Sequence, residues 1–167
     1  MSYVFTRINS PVGTLKLIAS DRALVAVVWR DHTAGQVPED HAVESRAHPL
    51  LKATEQQLGE YFAGDRREFD LPIELLGTDF QRSVWTALRT IPYGQTRSYA
   101  DIARQIGQPT AMRAVGAANG RNPVSIIVPC HRVIGTSGAL TGFGGGLDAK
   151  AKLLALESPQ RSLPAFA

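Results

Sequence analysis

Residues 98–120 read SYADIARQIGQPTAMRAVGAANG, and the punctuation of this stretch decides the fold around it. Ser98-Tyr-Ala-Asp101 has the form of a capping box and predicts the start of a short helix carrying Tyr99, Ile102, Ala103 and Ile106. Gly107 stops that helix, since glycine accepts the left-handed backbone that commonly ends one. Thr110 is then placed to cap a second helix, Ala111–Gly120. Two short helices joined by a tight turn containing glycine form a helix-turn-helix, in which the second helix lies along DNA. Helix corners are common, but the small side chains of Ala111-Met-Arg-Ala-Val-Gly-Ala-Ala would let this helix approach a groove closely.

Upstream, Thr78-Asp-Phe-Gln81 is a second capping box, opening a helix with Phe80, Val84, Trp85, Leu88 and Ile91 on its buried side. Before it, Phe69–Gly77 carries Asp70, Pro72 and Glu74 and reads as a linker. Pro49–Phe62 has helical spacing and is closed by Gly64, whereas the polar stretch Asp31–His48 reads as a loop. Tyr3–Ile8, Leu15–Ala19 and Leu24–Trp29 read as three strands of a meander. These patterns predict an α/β chain: a small sheet-and-helix domain over residues 1–76, then a mostly helical domain with a helix-turn-helix over 77–167. Downstream, Val124–Val128 (VSIIV) is an apolar run of buried-strand length ending in Pro129-Cys130-His131-Arg132-Val133. A glycine-rich stretch follows, and a last helix capped by Asp148 runs through Leu153, Leu154 and Leu156 to Glu157.

Composition bounds the chemistry. The 167 residues are 44% hydrophobic and 20% charged, as in ordinary globular proteins. No apolar run approaches the roughly 20 residues that a membrane helix needs. The opening MSYVFTRINS lacks the pattern of a signal peptide, so a cytoplasmic location is expected. A single cysteine, Cys130, excludes internal disulfides and multi-cysteine metal sites, and His32, His41 and His48 read as surface residues. No metal site is therefore expected. Residues 1–76 hold eight basic and eleven acidic side chains, against ten and four in 77–167. Such a basic C-terminal half suits an anionic partner, nucleic acid first among them; a solubilising surface is the bland alternative.

A free thiol is only a few per cent thiolate at neutral pH, so a nucleophilic cysteine needs a base or an electropositive setting. Cys130 follows a proline and precedes His131. On an extended backbone these two side chains would diverge, so the imidazole reaches the thiol only through a chain turn or a bridging water. A third group must orient the imidazole, and Glu157 is the candidate among the few acids of this half. A bare Cys-His pair reads more readily as a buried structural cysteine beside a satisfied histidine, since free cysteine is among the most buried residue types, and it is the whole neighbourhood that shifts the balance.

The run Arg113-Ala-Val-Gly116, then Asn122-Pro123, then PCHRV at 129–133, the glycine-rich segment and Leu-Leu-Ala-Leu-Glu157 resembles the O6-alkylguanine-DNA alkyltransferases, in their bacterial single-chain form. The likeness is close over about residues 78–158. It implies a ribonuclease-H-like N-terminal domain, a winged-helix-like C-terminal one, and irreversible single-turnover transfer of the alkyl group to Cys130 without a cofactor. In that scheme His131 takes the thiol proton through a water, Glu157 fixes the imidazole, and Asn122 braces the turn. Tyr99 protonates guanine N3 as the base leaves. Backbone groups at Cys130, Val133 and Gly144 read the guanine edge, and Leu140 and Phe143 wall the pocket. Arg113 enters the space of the flipped nucleotide, with Thr110, Ala111 and Met112 along the minor groove. The implied partner is double-stranded DNA carrying O6-alkylguanine or O4-alkylthymine, met by a monomer. Phe143, Gly144 and Lys152 depart from the tyrosine, serine and tryptophan frequent in the family. Two further readings are a lesion sensor that recruits other factors, which the presence of Cys130 opposes, and a cysteine hydrolase, which leaves the helix-turn-helix unexplained.

Overall fold

The computed structural model describes residues 2–30, 36–135, 137–138, 143 and 145–158. Strands β1 (Tyr3–Ile8), β2 (Leu15–Ala19) and β3 (Leu24–Val28) form the expected antiparallel meander. Period-two alternation splits β2 between two faces: Leu15, Leu17 and Ala19 enter the main core, while Ile18 joins Val25, Ala26 and Val28 on the other side. Helix α1 (Pro49–Phe62) lies on the first face and buries Leu51, Thr54, Leu58 and Tyr61.

The polar stretch before α1 is not all loop. Its described part holds a 3-10 turn, Glu39–His41, and a short strand β4 (Ala42–Glu44) that pairs parallel with β1, so the sheet order is β3-β2-β1-β4. Three residues with Val43 69% exposed carry no alternation from which a strand could be read. His48 is also more than a surface residue, since its Nδ1 accepts from the Leu50 N–H and caps α1.

The Phe69–Gly77 segment is no free spacer. Leu24 N–H donates to Pro72 O at 2.8 Å and Glu74 N–H donates to Leu24 O at 3.0 Å, which covers one end of the β3 edge. The other end is covered from far along the chain: Val27 N–H donates to Pro123 O, and Ser125 N–H donates to Val27 O. An open strand edge invites foreign pairing, and here the chain itself occupies it.

Beyond the segment come α2 (Asp79–Leu88), β5 (Arg97–Ser98), α3 (Tyr99–Gln105), α4 (Met112–Gly120), β6 (Val133–Ile134) and α5 (Leu147–Glu157). Both expected capping boxes form, Thr78 with Gln81 and Ser98 with Asp101. Two other caps do not. Ala111 occupies the N-cap of α4 and Gly146 that of α5, neither with a side-chain bond, so Thr110 and Asp148 cap nothing. The α4 backbone becomes helical one residue later than Thr110 would require, and Asp148 already lies inside the first turn of α5. Trp85 ties α2 to α4 through its indole N–H, 2.8 Å from Ala118 O. One buried cluster runs without interruption from Leu15, Leu17 and Tyr61 to Trp85, Leu88, Val128 and Leu153.

Candidate active site

The apolar run Val124–Val128 is a turn rather than a strand. Ile126 adopts φ +75°, a conformation that a β-branched residue rarely takes, and Ser125 bridges to Val128. Strain of this kind costs about 1–3 kcal/mol and persists only where the surroundings over-determine it. Asn122 does so. Its Nδ2 donates to Val128 O at 2.7 Å and its Oδ1 accepts from Val124 N–H at 3.0 Å, with every partner buried. A turn and a strand look alike in a short, fully buried apolar run, because no face is left polar.

The clamped turn delivers Pro129 into a 3-10 turn, Cys130–Arg132, so the chain bends at the cysteine. Cys130 is 3% exposed and His131 is fully buried. His131 Nε2 lies 2.7 Å from Glu157 Oε2 at the end of α5. Arg132 grips the same carboxylate with Nε 2.7 Å from Oε1 and Nη2 3.0 Å from Oε2, and its Nη1 donates to Ile91 O. Tyr61, 96 residues earlier on α1, donates its hydroxyl to Oε2 at 2.5 Å.

These contacts set the protonation states. Burial alone would push the Glu157 carboxyl up, but hydrogen bonds and charge from His131 and Arg132 outweigh it and hold its pKa at about 2. Burial pushes the His131 imidazole below its ordinary value despite the neighbouring carboxylate. The pair is therefore a neutral imidazole donating Nε2–H to an ionised carboxylate, and this tautomer leaves Nδ1 as an acceptor. Nδ1 is buried and has no hydrogen-bond partner among the described residues. Burial also pushes the Cys130 thiol up, and the polar side chain of Asn122, the Lys150 cation and the Ser125 hydroxyl pull the other way. Lys150 itself is fully buried, with Nζ donating to Val133 O at 2.6 Å.

The expected residues thus separate into groups. Cys130, His131, Glu157 and Asn122 come together in one buried network. Val133 is buried beside it on β6, whose parallel pairing of Arg97 with Val133 and Ser98 with Ile134 ties the start of α3, at Tyr99, to the segment that follows the cysteine turn. The Tyr99 ring lies over Gly116 of α4, where a Cβ would stand 3.8 Å from it. Thr110, Met112 and Arg113 are exposed and Ala111 half-buried at the start of α4, apart from the thiol network. Phe143 packs edge-on against Trp29 of the N-terminal half, centroids 5.2 Å apart. Leu140 and Gly144 lie outside the described residues. Sequence reasoning missed Tyr61, Arg132 and Lys150. Arg132 sits inside the quoted PCHRV run, but nothing periodic marks the other two as anything except core and solvated charge.

Comparison with known proteins places this geometry in context. Residues 3–75 match the family model of the 6-O-methylguanine DNA methyltransferase ribonuclease-like domain, and 79–159 that of the 6-O-methylguanine DNA methyltransferase DNA binding domain. A methylated-DNA–protein-cysteine methyltransferase of Mycolicibacterium paratuberculosis is 52% identical over 153 residues, covering 92% of this chain and 91% of its own. One from Methanosarcina acetivorans is 47% identical, covering 89% and 94%. The crystal structure of Mycobacterium tuberculosis OGT in complex with DNA superposes with a TM-score of 0.84 at 49% identity, covering 94% of this chain and 92% of that one.

Proposed function

This chain belongs to the 6-O-methylguanine DNA methyltransferase family, and from that premise we propose how its residues carry the reaction. It is a DNA-repair protein that binds DNA and moves an alkyl group irreversibly onto Cys130, one transfer per molecule. The reading of its substrate is O6-alkylguanine in double-stranded DNA, with O4-alkylthymine as a second base of the same chemistry. The alkylated O6 faces the pairing edge inside the stack, so the nucleotide is turned out of the helix, at a few kcal/mol that a poorly paired lesion lowers. Arg113, exposed at the start of α4, fills the gap, and Thr110, Ala111 and Met112 line the minor groove.

In the pocket the thiol proton passes through a water to His131 Nδ1. The thiolate attacks the alkyl carbon, a C–S bond forms and the C–O6 bond breaks with its electron pair on oxygen. Tyr99 protonates guanine N3, so that neutral guanine leaves rather than its anion. Glu157 steadies the imidazolium, and Asn122 holds the turn that carries both reacting side chains. Val133 and Gly144 offer backbone groups to the guanine edge. Leu140 and Phe143, the latter braced by Trp29, form the apolar wall. The step balances without a cofactor. One thiol and one DNA helix suffice, which favours a cytoplasmic monomer with its domain division at 76/77.

The observation that carries this reading is the buried His131–Glu157 contact of 2.7 Å, with an Nδ1 that has no partner among the described residues, next in chain to the only cysteine. The test is mass spectrometry after incubation with a duplex containing O6-methylguanine. One stable methyl adduct on Cys130 is expected, and Cys130→Ala should retain DNA binding with no transfer. Methyl removal by Cys130→Ala would overturn the assignment.

A further inference from the structure

Glu157 accepts four donors. Arg132 supplies two and His131 one, all from the turn that bears the cysteine, but the fourth is the hydroxyl of Tyr61 on α1. Tyr61 is fully buried. Its ring is fixed by Phe62, Phe69 and Tyr93, with centroids 5.3, 5.5 and 6.3 Å away. A phenylalanine would fill the same hole, so packing accounts for the ring and leaves the hydroxyl unexplained. That hydroxyl meets the one carboxylate oxygen, Oε2, that also faces His131 Nε2.

We propose that Tyr61 is a positioning residue through which the N-terminal domain takes part in alkyl transfer, by sharing Glu157 Oε2 with His131 and so setting how strongly that carboxylate draws a proton onto the imidazole. The inference rests on the role of the His131–Glu157 pair given above. Oε2 is divided among three donors, the Tyr61 hydroxyl, His131 Nε2 and Arg132 Nη2, and each hydrogen bond on it lowers the basicity that Glu157 confers on His131. Among the described residues, the charged and titratable groups facing this pair are Arg132 on the 3-10 turn, Lys150 on α5, and Tyr61 with Tyr93 behind it. Of these, only Tyr61 comes from the N-terminal half and touches the carboxylate. The acid is thus held jointly by two parts of the chain, and the imidazole feels whether the N-terminal half is docked.

The sign of the effect can be read in a pH profile. Removing the hydroxyl returns charge to Oε2, raises the basicity of His131, and protonates it at higher pH, where it no longer accepts the thiol proton. Single-turnover methyl transfer from an O6-methylguanine duplex at saturating protein, measured between pH 5 and 9, reads that limb directly. Tyr61→Phe should move the acid limb upward by about half a pH unit, with the thermal midpoint recorded alongside. Site-specific 3,5-difluorotyrosine at position 61, a stronger donor of nearly the same volume, should move it downward. An unmoved limb in both proteins, with Glu157→Gln abolishing it, would overturn the proposal and leave Tyr61 as packing. Should Tyr61→Phe fail to fold, the fluorinated protein decides alone, by a lowered limb or an unmoved one. If Glu157→Gln kept the limb intact, the reading of the His131–Glu157 pair would fall, and this inference with it.

Discussion

A fully buried lysine within electrostatic reach of the reactive sulfur is the least expected single residue. Lys150 gives a hydrogen bond to Val133 O and stabilises a Cys130 thiolate that burial opposes. Burial lowers the affinity of Lys150 for its proton, and the cysteine partly restores it, so each group steadies the charge of the other. Lys150→Met keeps most of the volume and removes the charge. The rate of Cys130 alkylation by iodoacetate or iodoacetamide at pH 8 should fall about three- to tenfold, since one pKa unit of thiol is a tenfold change in thiolate. Equal loss with the neutral and the anionic reagent would locate the effect in the thiol rather than in attraction of the reagent. An unchanged rate with both would remove Lys150 from the chemistry.

At the scale of elements, the turn from Asn122 to Val128 does what the helix-turn-helix alone does not: it presents the cysteine. Its left-handed Ile126 is sustained by the two Asn122 bonds and by docking on Val27. Asn122→Ala leaves Val124 N–H buried without that acceptor, at about 1–3 kcal/mol, and removes one of the two donors to Val128 O, which keeps Cys130 N–H, at about 0.5–1.5 kcal/mol. We expect about 2–4 kcal/mol of lost stability in urea unfolding, with a fall in transfer rate larger than stability accounts for under conditions where the protein stays folded. A variant of unchanged stability would show that Asn122 does not hold the turn. The helices, by contrast, were legible beforehand. Thr78–Gln81 and Ser98–Asp101 form the bonds their spacing implies, because a capping box closes within four residues and needs no help from the rest of the chain.

For the whole molecule, the two halves are joined by a shared core, by the occupied edge of β3, by Trp29 against Phe143 and by Tyr61 on Glu157. Trp29 lies so near Gly145 that an added Cβ would stand 2.5 Å from the ring. Burying the His131–Glu157 pair at this junction makes global stability depend on acid. His131 has its pKa lowered from 6.5 by burial, so below pH 6.5 the unfolded chain binds a proton that the folded one refuses, and stability falls. Glu157, lowered from 4.5 to about 2, contributes in full above 4.5 and loses its contribution as pH drops through that interval. The urea midpoint should therefore decline from about pH 6.5 downward and more steeply below about 4.5, and His131→Phe should lack the first decline. A flat midpoint in the unsubstituted protein between pH 7.5 and 5.5 would contradict this account. The sequence by itself determined the meander, two of the capped helices, the solitary thiol and the pairing of His131 with Glu157 as its candidate partners, since those rest on local periodicity, short-range hydrogen bonds or a short motif. Only the tertiary structure decided that VSIIV turns, that β4 extends the sheet, and that Tyr61, Arg132 and Lys150 surround the site. Buried apolar runs look the same bent or straight, and a tyrosine or lysine acquires its role from what folding packs against it.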